Sequence, residues 1–524
     1  MSRKSLGVLW GCCLSIALAH GACAETKAPD VTQTPCASLV KAGLSDIPDA
    51  PTQLTETKYV EAEGDLPAHC QVMGYVAPQV GFDLRLPVAQ WNGKFMQIGC
   101  HGNCGIMTIP TDDCTGPLRR GYACVTTDMG HRGAGVDGLW AYNNLQAKVD
   151  WGYRGTHVVA VAAKAIATRY YGKPPAHSYF AGWSAGTRQG LVEAQLFPWD
   201  FDGIICGTGL IDWLGAMMTA VWIDRISHDA QGQPILRSED FQLLHETALA
   251  RCDGDDGLKD GIIGNPPACR FDASELLCHG AARKSCLSEV QLEAVKKYYS
   301  GPLSSAGVKI YEEGAMMPGS ELSWPNWYSL GSSLGADWFR YAGFDSDPGA
   351  KWTIRDFDFD RDYKRLGTME ALYSATNPDL RKFKAAGGKL IFWQGWAEIP
   401  GPPLSVVRYY EAVERLIGGR AATQEFFRLF MIPGLGHDNS QGGISFHTID
   451  FLTHLENWVE KGIAPQRVIG ARLKEPQDLD TFPKFPLDPN RISFTRPIYP
   501  YPTRVRFKGS GNPNDAQNFL PAEP

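Results

Sequence analysis

The sequence predicts an α/β fold in which a largely parallel sheet is interrupted by one long insertion. From Lys94 onward, short apolar runs alternate with helical patterns, which is typical of strands joined by crossover helices. The alternation stops over residues 212–386, a segment rich in Trp, Gly, Pro and Asp. Insertions at this edge of an α/β sheet lie over the strand carboxyl ends, where ligands bind. We therefore expect the inserted segment to form a lid domain over a core built from residues 25–211 and 387–524.

The elements of the core are predicted in chain order. Strands are expected where apolar runs are bounded by Gly, Pro or polar residues, at KFMQIG (94–99), YACVTTD (122–128), HSYFAG (177–182), DGIICG (202–207), KLIFWQG (389–395) and FFRLFMIPG (426–434). Helices are expected where apolar residues recur at helical spacing, at 155–171, 404–417 and 449–461. The first helix would lie between two of the strands, as a crossover between parallel strands requires.

The composition is that of a globular protein. The 524 residues are 44% hydrophobic and 20% charged, and the net charge of −7 without a Lys/Arg cluster argues against nucleic-acid binding. Residues 1–24 have the pattern of a signal peptide. Arg3 and Lys4 precede an apolar run too short to span a bilayer, and Ala22-Cys23-Ala24 offers a small-residue cleavage site. A membrane anchor is the alternative, but we expect a soluble mature chain that begins at Glu25 and is secreted or periplasmic.

Export makes the cysteine pattern informative. Three of the 14 cysteines lie in the predicted signal peptide, and the other 11 would enter an oxidising compartment. We expect three bridges, Cys36–Cys70, Cys252–Cys269 and Cys278–Cys286. Cys124 and Cys206 lie in apolar runs and are predicted to be thiols of the core. The pairing of three others stays open, namely Cys100, Cys104 and Cys114.

The segment Gly182-Trp183-Ser184-Ala185-Gly186 carries the strongest chemical signal. G-x-S-x-G often occurs by chance, but here it follows a predicted strand and opens a helical segment. That is the strand–turn–helix of a nucleophile elbow, so it predicts an α/β-hydrolase core with Ser184 as the nucleophile. The backbone N–H of Ala185, at the start of the helix, is expected to be one oxyanion donor. An ordinary turn is the alternative.

A serine nucleophile needs a base and an orienting acid, which follow in the chain order Ser, Asp/Glu, His in this fold. His437 stands in a Gly-rich loop directly after the last predicted strand and is the predicted base. Glu398 is the carboxylate that follows the strand KLIFWQG and is the predicted acid. Asp438 is a weaker candidate, because adjacent residues rarely place their side chains face to face. Solvated loop residues are the alternative for both His437 and Glu398.

The second oxyanion donor is expected in the loop after the strand KFMQIG. This oxyanion loop, residues 99–105, has the sequence GCHGNCG. Gly102 is the predicted donor, and the neighbouring His101 is the alternative donor. A purely structural glycine turn is the other interpretation of the loop.

Residues 252–262, CDGDDGLKDGI, interleave carboxylates with glycines, which suits a hard cation with oxygen ligands. Export favours Ca²⁺ over Mg²⁺, in a structural role. An EF-hand is excluded because its fifth and twelfth positions would be Gly257 and Gly264. The predicted ligands of this calcium loop are the side chains of Asp253, Asp256 and Asp260 and the carbonyls of Leu258 and Ile262. A solvated acidic turn is the alternative.

Taken together, these motifs resemble the tannase and feruloyl esterase family, which includes the hydrolase of mono(2-hydroxyethyl) terephthalate. The similarity covers nearly the whole chain after residue 24. It includes WNGKF, YACVTTDMGH, GWSAGTRQG, FDGIICG, CDGDDGLKDGII, QGWAE and PGLGH. The resemblance implies hydrolysis of aromatic acid esters, of the galloyl, feruloyl or terephthaloyl type, under a lid that carries calcium.

Three positions depart from the family pattern. The residue before the nucleophile and the residue after the histidine are usually cysteines joined by a disulfide, and here they are Trp183 and Asp438. Their joint absence indicates that the bridge was lost as a unit. Glu398 stands where the family has Asp, and a Ser-His-Glu triad is workable in this fold.

The predicted reaction is acyl transfer from a small aromatic ester to water through an acyl-enzyme. Several lid residues are candidates to contact an aromatic acyl group or its carboxylate, with ordinary packing as the alternative: Trp324, Trp327, Trp338, Phe339 and Arg340. Two other functions stay open. One is an acyltransferase with a non-water acceptor, and the other is a catalytically weakened binding protein of the same fold.

Overall fold

The computed structural model describes residues 36–41, 43–107, 114–279, 285–437, 445–475, 482 and 485–523. The predicted signal peptide and Asp438 lie outside the described residues. No helix in the described part of the chain is long and apolar enough to cross a membrane.

One large sheet organises the molecule. Its strands are β1 (Thr52–Val60), β2 (His69–Val76), β3 (Val80–Pro87), β4 (Lys94–Ile98), β5 (Ala123–Thr127), β6 (His177–Ser184), β7 (Gly203–Gly209), β8 (Lys389–Gly395) and β9 (Phe427–Ile432). They lie in the order β1-β2-β3-β5-β4-β6-β7-β8-β9. The strands β4 to β9 pair in parallel, whereas β1, β2 and β3 are antiparallel additions at one edge. The predicted α/β class and the six predicted strands are therefore confirmed.

The described residues form thirteen α-helices, some of which cover the two faces of the sheet. They are α1 (Thr115–Arg119), α2 (Leu145–Val149), α3 (Gly155–Tyr171), α4 (Ala185–Leu196), α5 (Trp213–Ser227), α6 (Ser238–Cys252), α7 (Glu289–Ser300), α8 (Ala336–Tyr341), α9 (Gly367–Tyr373), α10 (Arg381–Ala385), α11 (Pro403–Ile417), α12 (Arg420–Gln424) and α13 (Phe451–Lys461). The helices α3, α4 and α11 bury apolar residues such as Ile166, Leu191 and Val406 on one face. On the other face α13 buries Leu455 and Trp458. The result is a three-layer arrangement with two cores.

The predicted insertion lies between two neighbouring strands, β7 and β8, which pair in parallel. Its described residues form the helices α5 to α10, turns and isolated bridges. They pack into a second apolar cluster that includes Trp213, Trp324 and Trp338 and continues into Trp151 and Ala185, which precede the insertion. The assignment of this insertion as a lid domain, with the boundaries 212–386, remains a prediction. After the lid and the last core helix, the chain adds two small sheets, β10 (Val468–Leu473) with β11 (Ile492–Ile498) and β12 (Arg504–Phe507) with β13 (Phe519–Ala522).

Five disulfides link the described residues: Cys36–Cys70, Cys100–Cys104, Cys114–Cys124, Cys252–Cys269 and Cys278–Cys286. The three predicted bridges are confirmed, and Cys206 is a buried free thiol as predicted. The prediction for Cys124 is wrong. Cys124 lies on β5, and α1, which starts directly after Cys114, packs against that strand and brings the two sulfur atoms together.

Candidate active site

Ser184 occupies a strained turn between β6 and α4. Its backbone has φ +56° and ψ −125°, a region that non-glycine residues rarely adopt. The turn forms because its neighbours lack side chains. A Cβ at Gly182 would lie 2.6 Å from the carbonyl of Gly186, and a Cβ at Gly99 would lie 2.8 Å from the Gly186 Cα. The structure therefore places Ser184 on a strand–turn–helix, the arrangement that a nucleophile elbow needs.

The strands β8 and β9 bring Glu398 and His437 to the same edge of the sheet. His437 Nδ1 lies 2.8 Å from Glu398 Oε1, and the same oxygen accepts the N–H of Gly401 at 3.1 Å. Because a carboxylate only accepts, this bond keeps the proton on Nδ1 and leaves Nε2 as an acceptor for a hydroxyl proton. Glu398 is fully buried, and its Oε2 has no hydrogen-bond partner among the described residues.

The oxyanion loop, residues 99–105, is closed by the Cys100–Cys104 disulfide. Gly102 lies in the middle of this ring with φ +52°, and a Cβ there would be 2.3 Å from the carbonyl oxygen of Gly135. Only glycine fits this position. The side chain of His101, the alternative donor residue, packs its ring against Trp183, with ring centroids 5.5 Å apart.

Asn103 anchors the same loop to two tryptophans, a contact that the sequence did not reveal. Its side-chain oxygen accepts the indole N–H of Trp338 at 2.7 Å, and its backbone carbonyl accepts that of Trp151 at 3.1 Å. Its own backbone N–H donates to the carbonyl oxygen of Gly135 at 2.7 Å. Since Trp338 belongs to α8 of the inserted segment, the predicted lid is bonded directly to the loop that carries Gly102.

The lid residues predicted to contact substrate have mostly structural partners. Trp324 stacks on Tyr298, and Phe339 packs among other aromatic side chains of the lid. Arg340 is bonded to Asp337 and to a backbone carbonyl. The exception is the half-buried Trp327, whose ring meets the His437 ring edge to face at 5.2 Å. Trp327 is therefore the predicted lid aromatic that lies at the candidate base.

The chain is similar to a family of known enzymes over most of its length. The family described as "Tannase and feruloyl esterase" matches residues 65–522. The chain belongs to the tannase and feruloyl esterase family. An uncharacterised esterase of Xanthomonas campestris pv. campestris is 32% identical to it over 97% of this chain and 92% of that protein. The mono(2-hydroxyethyl) terephthalate hydrolase of Piscinibacter sakaiensis is also 32% identical, over 88% of this chain and 85% of that protein.

The structural comparison agrees. The crystal structure of feruloyl esterase B from Aspergillus oryzae matches with a TM-score of 0.76 and 25% identity, over 90% of this chain and 97% of that one. The family resemblance inferred from the motifs is thus confirmed, and the protein is a carboxylic ester hydrolase.

The segment predicted as a calcium loop, residues 252–262, is a compact turn closed by the Cys252–Cys269 disulfide. The Asp253 carboxylate accepts three backbone N–H groups, from Asp260, Gly261 and Ile262, at 3.0 to 3.3 Å. The Asp256 carboxylate accepts the N–H of Leu258 at 2.9 Å. Asp253 therefore shapes the loop, whatever further role it has.

Two features of the calcium loop fit a cation. Asp260 bonds Arg496 through Oδ2 at 2.6 Å, but its buried Oδ1 has no hydrogen-bond partner among the described residues. Burial raises the pKa of Asp256 to about 6, and the carboxylates of Asp260 and Asp253 add to the shift. A positive ion would satisfy the orphaned oxygen and offset the repulsion between the carboxylates.

A second acidic group, which was not predicted, lies at the far end of α4. The potential ligand atoms of His157, Glu193 and Asp200 lie within 4.8 Å of one another, the one such group found in the described part of the chain. His157 Nδ1 is 2.5 Å from the Asp200 carboxylate, and Lys164 bonds the Asp200 carbonyl at 2.8 Å. Burial and the nearby Asp200 raise the pKa of Glu193 well above its usual range. The group has the chemistry to hold a metal ion, and protonation of Glu193 would also reduce its negative charge.

Proposed function

We propose that this esterase cleaves esters of aromatic carboxylic acids through a Ser184–His437–Glu398 triad and an acyl-enzyme. The observation that carries the proposal is the 2.8 Å hydrogen bond between His437 and Glu398. That bond orients a histidine at the sheet edge where Ser184 stands in its strained turn.

In the proposed reaction, His437 Nε2 takes the hydroxyl proton while Ser184 Oγ attacks the ester carbonyl carbon. The carbonyl electron pair moves to oxygen, and the N–H groups of Ala185 and Gly102 stabilise that charge. Collapse of the tetrahedral intermediate breaks the ester C–O bond, and His437 gives its proton to the leaving alcohol. Water then repeats the sequence, which releases the acid and restores Ser184. Glu398 keeps Nδ1 protonated and stabilises the imidazolium.

Support for an aromatic acyl group comes from the relatives and from the lid. The names of two related enzymes contain terephthalate and feruloyl, and both terms refer to aromatic acids. In this chain the indole of Trp327 provides an apolar wall beside His437. An aromatic acyl group packed there would lie next to the group that performs the proton transfers.

A panel of esters tests the proposal: methyl gallate, methyl ferulate, chlorogenate, mono(2-hydroxyethyl) terephthalate and p-nitrophenyl butyrate. At least one aromatic acid ester should exceed the butyrate in kcat/KM by about tenfold or more. Trp327→Leu should lower kcat/KM for that ester more than for the butyrate. The aromatic assignment would be refuted if Trp327→Leu lowered kcat/KM equally for both esters, or if the native enzyme preferred the butyrate.

We infer that the calcium loop binds one structural Ca²⁺ ion. Asp256 and Asp260 are the best supported ligands, and Asp253 and the carbonyls of Leu258 and Ile262 are further predicted ligands. The ion would supply positive charge that holds the carboxylates together, so it should stabilise the lid and leave the chemical step unchanged.

Chelation tests the calcium inference. Excess EDTA should lower Tm, since a ligand at 100 times its Kd stabilises the folded state by about 2.7 kcal/mol. Elemental analysis should find about one calcium per chain. Asp256→Asn should abolish that response, whereas Asp255→Asn, an exposed carboxylate of the same loop, should retain it. An unchanged Tm in EDTA together with no bound calcium would refute the inference.

We also propose that the chain is exported and that residues 1–24 are removed. Five disulfides are typical of an oxidising compartment. N-terminal sequencing of the protein secreted by its host should begin at Glu25. An intact N-terminus in the cytosolic fraction would contradict export.

A further inference from the structure

We propose that Gln189 is a positioning residue that fixes the oxyanion loop against the helix of the nucleophile. Gln189 lies in the second turn of α4, the helix that begins directly after Ser184, and its side chain is buried. The inference rests on the proposed function, because it concerns the placement of the oxyanion donor Gly102.

The Gln189 amide contacts both backbone groups of Cys100. Its Oε1 accepts the Cys100 N–H at 3.3 Å, and its Nε2 lies 3.5 Å from the Cys100 carbonyl oxygen. The same Nε2 lies 3.0 Å from Sγ of Cys100 and 3.5 Å from Sγ of Cys104. One side chain therefore meets both ends of the disulfide-closed ring that contains Gly102.

The relative position of α4 and the loop matters because the two oxyanion donors belong to different segments. Ala185 is the first residue of α4, whereas Gly102 belongs to the loop. Both N–H groups must lie about 2.7 to 3.1 Å from the same oxygen in the transition state. The Asn103 contacts hold the loop to Trp338 and Trp151, which are not part of α4. Gln189 is the polar side chain of α4 that bonds to the loop in the described residues.

The test variant is Gln189→Met, which keeps the length of the side chain and removes its polar atoms. The kcat for the best ester should fall on the order of 10- to 100-fold, because the Gly102 N–H is displaced from the oxyanion but still present. The KM should change less than about threefold, because this N–H acts mainly in the transition state. Partial unfolding would also lower the apparent kcat. A second measurement is therefore needed that reports on the oxyanion site alone.

That measurement is the ratio of the rates on an oxoester and on its thionoester. The thionoester places sulfur, a larger and weaker hydrogen-bond acceptor, where the oxyanion develops. The native enzyme should strongly prefer the oxoester, and Gln189→Met should lose most of that preference. A general loss of folded enzyme would lower both rates equally and leave the ratio unchanged.

The matched control is Gln195→Met on the same helix. Gln195 bonds the Ala375 carbonyl at 2.8 Å and the Tyr409 hydroxyl at 3.1 Å, away from the oxyanion loop. Its replacement should keep the native kcat and the native ratio. If Gln189→Met does not fold, Gln189→Glu has the same size and loses the N–H donors, and it should show the same change in ratio.

A Gln189 variant with the native kcat and ratio, indistinguishable from Gln195→Met, would overturn the inference while the triad stands. Failure of the proposed function has a different signature. In that case the native enzyme hydrolyses no ester of the panel, or Ser184→Ala retains the native rate.

Discussion

Each end of α4 holds a residue in an energetically unfavourable state, but the two states differ. At the N-terminal end, Ser184 is held in a strained backbone conformation beside glycines, at the sheet edge that carries Glu398 and His437. At the C-terminal end, Glu193 is sealed in the interior beside Asp200. The negative end of the helix dipole further disfavours charge on Glu193. We infer that the first end serves reactivity and the second serves stability, so changes at the two ends should have separable effects.

The largest effect is expected for Glu398→Gln. The amide retains the shape of the carboxylate but removes the charge that stabilises the His437 imidazolium, so kcat should fall on the order of 10²- to 10⁴-fold. The Tm should change little, because the amide oxygen can still accept from Gly401 and His437. Glu398→Asp, which keeps the charge, should lose less. A native kcat in Glu398→Gln would contradict the assignment of Glu398 as the acid of the triad.

A change at the other end of α4, Glu193→Gln, should act on stability. The pKa of Glu193 is higher in the folded than in the unfolded state. The free energy of unfolding of the native enzyme therefore decreases as the pH rises from the usual pKa of Glu to the raised one. The decrease is at most about 1.4 kcal/mol per pH unit. Glutamine carries no such proton. The Tm of the variant relative to the native enzyme should therefore increase with pH, while kcat stays within about twofold.

The measurement is Tm from pH 5 to pH 9 for both proteins, with elemental analysis. Parallel profiles of Tm against pH for the two proteins would contradict a raised pKa of Glu193. A stoichiometric metal that disappears in Glu193→Gln would show that the His157–Glu193–Asp200 group holds a metal ion in place of a proton.

The smallest effect is expected for Trp183→Ala, at the N-terminal end of α4. The half-buried ring contacts His101 and Phe482, so its removal should cost about 1 to 2 kcal/mol of stability, less than for a fully buried tryptophan. Because the ring braces the oxyanion loop, kcat should also fall a few-fold. Trp199→Ala, which removes a largely exposed tryptophan, is the control and should change neither quantity. Equal effects of both variants would contradict a bracing role for Trp183.

The sequence predicted the parts of the fold that have local signals. The strands β4 to β9 are apolar runs buried on both faces, so their positions were visible without an alignment. The three antiparallel strands that precede Lys94 were missed. Most side chains of β1 are exposed, so it has no apolar run, whereas β2 and β3 are largely buried and were overlooked. The Cys114–Cys124 bridge was missed because one partner lies inside a buried strand, where a free thiol is the ordinary expectation.

At the candidate site, too, residues with a local sequence signal were predicted and residues without one were not. Ser184, Glu398 and His437 were predicted as a triad because each lies at or after the end of a recognisable strand, and the structure brings the last two into contact. The contacts of Gln189 and Asn103 with their distant partners have no local signal, since they arise when separate segments pack together. For the same reason Trp338 was considered for substrate stacking, whereas its indole bonds to Asn103.

The assignment of Ser184 as the nucleophile is tested most directly by trapping the enzyme with a fluorophosphonate and locating the adduct by mass spectrometry of peptides. One phosphonate group should appear on the peptide that contains Ser184, in step with the loss of esterase activity. Ser184→Ala should remain unmodified, keep the native Tm and lose on the order of 10⁴- to 10⁶-fold in kcat. An adduct on another residue, or turnover by Ser184→Ala at the native rate, would contradict the proposed triad.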